Sequence, residues 1–132
     1  MPEGRAPIEY YDLLEEAVIA QLATVDSAGR PQVNPVWLLC ENDQILLSVL
    51  EGTSKLCNMR ANPNVALSLL DPQDSFRYLE LRGTVAAIER YDDLSLVNAL
   101  SRKYTGGDYR SAQPGQVRYR IRIDVRGWSA QG

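Results

Sequence analysis

Short stretches of β-forming residues, separated by turn-forming ones, recur along most of the chain. Val18 to Val25 is one such stretch. It ends at Asp26-Ser27-Ala28-Gly29-Arg30-Pro31, a polar Gly/Pro loop that suits a hairpin, and Gln32 to Cys40 follows as a second strand. The turn Glu41 to Gln44 leads into Ile45 to Leu50, whose apolar content on both faces predicts a strand covered on both sides. Asn64 to Leu70 reads as a fourth strand closed by the turn Asp71 to Ser75, and Phe76 to Arg90 as a long fifth, in which Gly83 marks a bulge or a close backbone approach. In the last strand, Val117 to Arg126, apolar residues hold one face and charged ones the other.

Helical signals are fewer. Ile8 to Glu16 predicts one or two turns with Leu13 and Leu14 inward. Lys55 to Arg60 predicts a short helix ended by Asn62-Pro63, with Leu56, Met59 and Cys57 toward the core. Tyr91 to Tyr104 has acids at its front and bases at its back, as a helix dipole favours. Between Thr105 and Gln116 lies a Gly-, Ser- and Pro-containing loop of about a dozen residues, long enough to carry function. Six strands without a βαβ rhythm predict a mainly β protein with minor helices, an antiparallel barrel or closed sheet forming one domain over residues 1–132.

Composition narrows the chemistry. The chain has 132 residues, two cysteines and no histidine. That excludes Ser-His-Asp and Cys-His catalysis, the common facial-triad metal sites and Cys/His zinc sites, so no metal site is expected. Any redox or group-transfer chemistry would come from a bound cofactor. No run approaches the roughly 20 apolar residues of a membrane span, and the start lacks a basic-then-apolar signal, so a cytoplasmic protein without a membrane partner is expected. Charge is uneven: residues 1–100 hold 7 basic and 15 acidic side chains, residues 101–132 hold 7 and 2. The C-terminal end is therefore where an anionic ligand is sought, while the net charge of −3 argues against nucleic acid.

Ser48 to Lys55 ends a strand, passes Gly52 and opens a helix with two hydroxyls and a lysine. Backbone N–H groups at a helix start, with the dipole and an ammonium, make a phosphate site. The alternative is an ordinary N-cap by Thr53 or Ser54 with Lys55 merely exposed. Trp37 and Trp128 read as core or interface aromatics before stacking platforms. The alternating arginines of the last strand read as a solvated sheet face, and Cys57 as a small buried apolar residue.

The order of motifs adds to this. Gly29-Arg30-Pro31, Asn34-Pro35-Val36-Trp37, the strand to Ser48, Thr53-Ser54-Lys55 with Asn58, Asn62-Pro63-Asn64-Val65 and Leu81-Arg82-Gly83-Thr84-Val85 follow one another. Together they resemble the split-barrel flavin-binding family related to pyridoxamine 5′-phosphate oxidase, and its branch that uses the deazaflavin coenzyme F420. The resemblance implies a homodimeric six-stranded split β-barrel with cofactors bound across the interface. It further implies that Pro35, Val36 and Trp37 lie along the ring and that Ser48 holds the cofactor's side chain. Thr53, Ser54 and Lys55 would hold the phosphate, with Asn58 supporting the loop and Tyr78 contacting the cofactor from the second subunit. The expected activity is F420-dependent hydride transfer to or from a small unsaturated organic substrate. An FMN-binding oxidase-like protein and a non-catalytic cofactor-binding protein are the alternatives. One basic residue fewer at the phosphate loop than in the oxidase argues against FMN, and the lack of histidine and of the oxidase's long C-terminal extension argues against its pyridoxal-phosphate substrate. The short chain, the Pro35-Val36-Trp37 strand and the Arg-rich last strand are similar to the F420 branch.

Overall fold

A computed structural model describes residues 4–132. Seven strands form one antiparallel sheet: β1 (Ala20–Val25), β2 (Pro31–Val36), β3 (Leu39–Glu41), β4 (Gln44–Leu50), β5 (Asn64–Leu70), β6 (Tyr78–Tyr91) and β7 (Arg118–Gln131). Their order across the sheet is β2-β1-β5-β6-β7-β4-β3. Three helices accompany them: α1 (Tyr11–Glu15), preceded by a 3₁₀ turn at Ile8–Tyr10, α2 (Ser54–Ala61) and α3 (Ser95–Thr105).

The expected strand count of six becomes seven because Gln32 to Cys40 is not continuous. β2 pairs with β1, whereas β3 pairs with β4 at the opposite edge of the sheet. Only Trp37 and Leu38 lie between them, so the two edges stand within about 11 Å, three Cα–Cα steps. An open sheet would hold those edges far apart; this one curls into a split barrel. The ladder breaks for a visible reason. Leu38 is fully buried, yet its N–H donates to the Tyr104 hydroxyl at 3.2 Å and its carbonyl accepts from Lys103 Nζ at 2.8 Å. Side chains of α3 satisfy the backbone where no strand does.

The barrel interior follows the period-two pattern: Val65, Leu67 and Leu69 of β5 face it, as do Leu79 and Leu81 of β6 and Ile121 and Ile123 of β7. In β4, Ile45, Leu46, Leu47 and Val49 are all buried, which bears out the doubly covered strand. Both edge hairpins use the expected turn chemistry. Asp26 Oδ1 accepts the N–H groups of Ala28 and Arg30, and Asn42 and Asp43 take the positive φ of a two-residue hairpin.

Gly83 is a close approach, as its place in the strand predicts: a Cβ there would lie 2.6 Å from the Asp124 carbonyl oxygen, and the β6–β7 register shifts beside it. Four expectations need correction. Cys57 is exposed, because α2 turns Leu56, Asn58 and Met59 inward instead. Tyr91 ends β6 rather than opening the helix, which begins after Asp93 accepts the N–H of Ser95. The last strand runs on to Gln131, since β6 remains its partner that far. Its charged face is also not wholly solvated, for Arg118 is buried.

Candidate functional site

Where β2 breaks away from the sheet, a cavity of about 380 Å³ opens between the ends of β2 and β4, the first turn of α2, α3 and the start of β7. Pro35, Val36, Trp37, Ser48, Thr53 and Lys55 all line it. Residues twenty apart in sequence thus meet because β2 and the β4–α2 connection end at the same corner of the barrel.

Each wall has its own support. The Trp37 indole lies flat on the Tyr104 ring, 5.3 Å between centroids and 9° between planes. Trp37 is therefore both a packed aromatic and a cavity wall. The Ser48 hydroxyl shares a hydrogen bond with the Tyr91 hydroxyl. Burial holds the Tyr91 hydroxyl protonated to higher pH than an ordinary tyrosine, so this neighbour stays neutral.

The phosphate question turns on Thr53. Its hydroxyl donates back to the Leu50 carbonyl at 2.9 Å and caps no N–H of α2. Among the described residues no other side chain caps that end either, so the first-turn N–H groups remain available beside Lys55. The ordinary N-cap reading is thereby set aside.

Three expected residues stand outside the cavity. Ser54, on the first turn of α2, borders a neighbouring surface groove with Glu51, Cys57 and Arg60. Asn58 is buried behind the wall, its Nδ2 donating to Thr24 Oγ1 at 3.0 Å and Gln32 Oε1 at 3.1 Å, which ties α2 to β1 and β2. Tyr78 lines a separate groove with Gln21, Ser68 and Leu70. Ile19 borders both that groove and the main cavity.

The sequence reading missed the opposite wall. Val97 and Leu100 of α3, Tyr109 of the following loop and Arg118 of β7 also line the cavity. The helix pattern marks Val97 and Leu100 as apolar, and the length of the loop marks it as functional, but neither says what they face. For Arg118 the signals were the basic C-terminal end and the arginines of the last strand, which could attract an anionic tail, and the reading of those arginines as a solvated face left it out.

The pyridoxamine 5′-phosphate oxidase family model matches residues 6–131 of the chain. Among solved structures, an F420 reductase is 31% identical, covering 94% of this chain and 98% of its own, with a TM-score of 0.79. A conserved hypothetical protein from Mycobacterium tuberculosis is 20% identical over 98% of this chain and 86% of its own, TM-score 0.72. The heme storage protein HutZ from Vibrio cholerae shares the fold at 17% identity, 98% and 96% coverage and a TM-score of 0.65. No curated protein sequence gives a significant match. With its split barrel and a match over nearly its whole length, the chain belongs to the pyridoxamine 5′-phosphate oxidase family.

Proposed function

We propose that the protein is an F420-dependent oxidoreductase, transferring a hydride between the deazaflavin and a small unsaturated organic substrate. The observation that carries this reading is the cavity itself, which has a flat apolar wall at one strand end and a lysine beside uncapped helix N–H groups at another. The 31% identity to an F420 reductase favours the deazaflavin over FMN. FMN would meet the same wall and the same phosphate position, so it is the second reading.

The residues fit a phosphorylated ring cofactor. The first turn of α2 and Lys55 would hold its phosphate, Pro35, Val36 and Trp37 would flank its ring, and Ser48 would meet its polyol chain. The bound cofactor supplies two-electron hydride chemistry. The chain's part is to position the ring, to exclude water with Val97, Leu100 and Trp37, and to present the hydroxyls of Ser48 and Thr53.

The reading includes a homodimer. Ile19 is 45% and Leu70 50% exposed, and both border the groove beside Tyr78, adjoining the open side of the cavity. A second copy on this face would cover apolar surface and bring Tyr78 of the partner subunit toward the cofactor. Light scattering is expected to give twice the 14.8 kDa chain mass; a monomer removes the shared site.

A side-by-side titration with F420 and FMN tests the cofactor. Micromolar binding of F420 with weaker FMN upholds the proposal, the reverse preference replaces it with a flavin protein, and binding of neither overturns both.

A further inference from the structure

Arg118 opens β7 with only 7% of its surface exposed, and it lines the cavity. The contacts that hold it are uncharged. Its Nη2 donates to Gln116 Oε1 at 2.9 Å, and the guanidinium carbon sits 5.7 Å from the centre of the Tyr109 ring. The Tyr109 N–H in turn donates to Asn98 Oδ1 at 3.0 Å, which fixes the loop to α3. None of the ion pairs among the described residues includes Arg118 or Lys55.

A second arginine on the same strand face adds to the charge. Arg118 lies opposite Leu50 and Tyr91, and Arg120 opposite Ser48 and Glu89. Arg120 Nε is buried without a hydrogen-bond partner, while Glu89 pairs with Arg122 at 3.0 Å. Asp93 feels the charge of Arg120, yet neither Arg118 nor Arg120 forms an ion pair among the described residues, so the outer face of β7 next to Ser48 carries positive charge without a paired carboxylate.

A guanidinium cannot shed its proton at any ordinary pH, so burying one among neutral partners costs stability that a matching anion restores. Its planar fork suits the paired oxygens of a phosphate or carboxylate. We propose that Arg118 binds an oxyanion, phosphate or carboxylate, of the molecule that fills this cavity, with Gln116 and Tyr109 holding the guanidinium in place beforehand. Only the source of the oxyanion, cofactor or substrate, rests on the cofactor reading above.

The test compares wild type, Arg118→Gln and Arg118→Lys by calorimetry. The probes are FMN, riboflavin, F420, its phosphate-free ring-and-ribityl fragment and inorganic phosphate, with benzoate added to cofactor-loaded protein. A tenfold or greater loss of FMN and F420 binding in Arg118→Gln, with riboflavin and the fragment unchanged and Arg118→Lys intermediate, supports the proposal with the cofactor as source. Unchanged cofactor binding with benzoate binding lost supports it with an acidic substrate as source. If wild type binds no ring compound but binds phosphate through Arg118, the cofactor reading fails and this proposal stands. Equal losses for phosphorylated and phosphate-free rings, or no loss for any probe, overturn it.

Discussion

The hydroxyl of Tyr104 accepts the N–H of Leu38 at 3.2 Å and donates to the carbonyl of Val18 at 2.9 Å, while its ring carries Trp37. One side chain of α3 thus holds the crossover between the sheet edges and one wall of the cavity. Tyr104→Phe keeps the ring and leaves a buried N–H and carbonyl without this partner. It is expected to lower stability by about 1–3 kcal/mol. A thermal melt with an unchanged midpoint would show that water replaces the hydroxyl.

Lys55 tests the phosphate end of the cavity. Lys55→Ala removes an ammonium beside the uncapped first turn of α2 and is expected to weaken phosphorylated cofactor by roughly 1–3 kcal/mol, tenfold or more in Kd. Riboflavin, lacking the phosphate, should bind both proteins alike. An unchanged Kd for FMN and F420 would locate the phosphate elsewhere.

Stability in acid should depend on Arg77. Its side chain reaches both oxygens of Asp12, at 2.7 and 2.8 Å, and Asp71 at 3.0 Å, and it also donates to the Glu9 carbonyl. Asp12 is held below the ordinary aspartate value of 3.8 chiefly by the Arg77 hydrogen bonds, and Asp71 by the Gln73 N–H and then by Arg77. For carboxyls lowered on folding, the stabilisation is complete above the unfolded value and is lost as pH falls through the folded values. Denaturant midpoints should therefore hold from pH 7 to about pH 5 and drop below about pH 4. Arg77→Met should lower the denaturant midpoint at pH 7 and flatten the acid limb. An acid limb as steep as that of wild type would exclude this network as its source.

Gly83→Ala places a methyl 2.6 Å from a backbone oxygen and 2.7 Å from Ile123 Cγ2. The oxygen belongs to a strand and cannot rotate away, so β6 and β7 must separate locally. The expected loss is about 1–3 kcal/mol, read in urea denaturation. A variant as stable as wild type would mean that the bulge absorbs the methyl.

Strand and helix positions were legible in the sequence because each follows from its own pattern: β5 was read to the residue, and α2 and α3 to within a few. The break at Trp37-Leu38 was not, since Leu38 is buried through α3 groups more than sixty residues away. Six of the nine expected site residues came together because they sit on two contiguous motifs. Arg118 was missed for the opposite reason. Period-two alternation tells which side of a strand a residue takes, but not whether a helix and a loop cover that side. Cys57 failed similarly: its composition favours burial, while the rotation of α2 is set by Leu56 and Met59 packing into the barrel.

The sheet order has a consequence for how the chain is made. β7, the last strand, is hydrogen-bonded to β6 on one side and to β4 on the other. Without it, β2-β1-β5-β6 and the β3–β4 hairpin share no strand pairing, and each has an unpaired edge. A nascent chain stalled before Arg118 thus holds two sheets with aggregation-prone edges rather than a closed barrel, and the barrel closes only once β7 is available to pair with both.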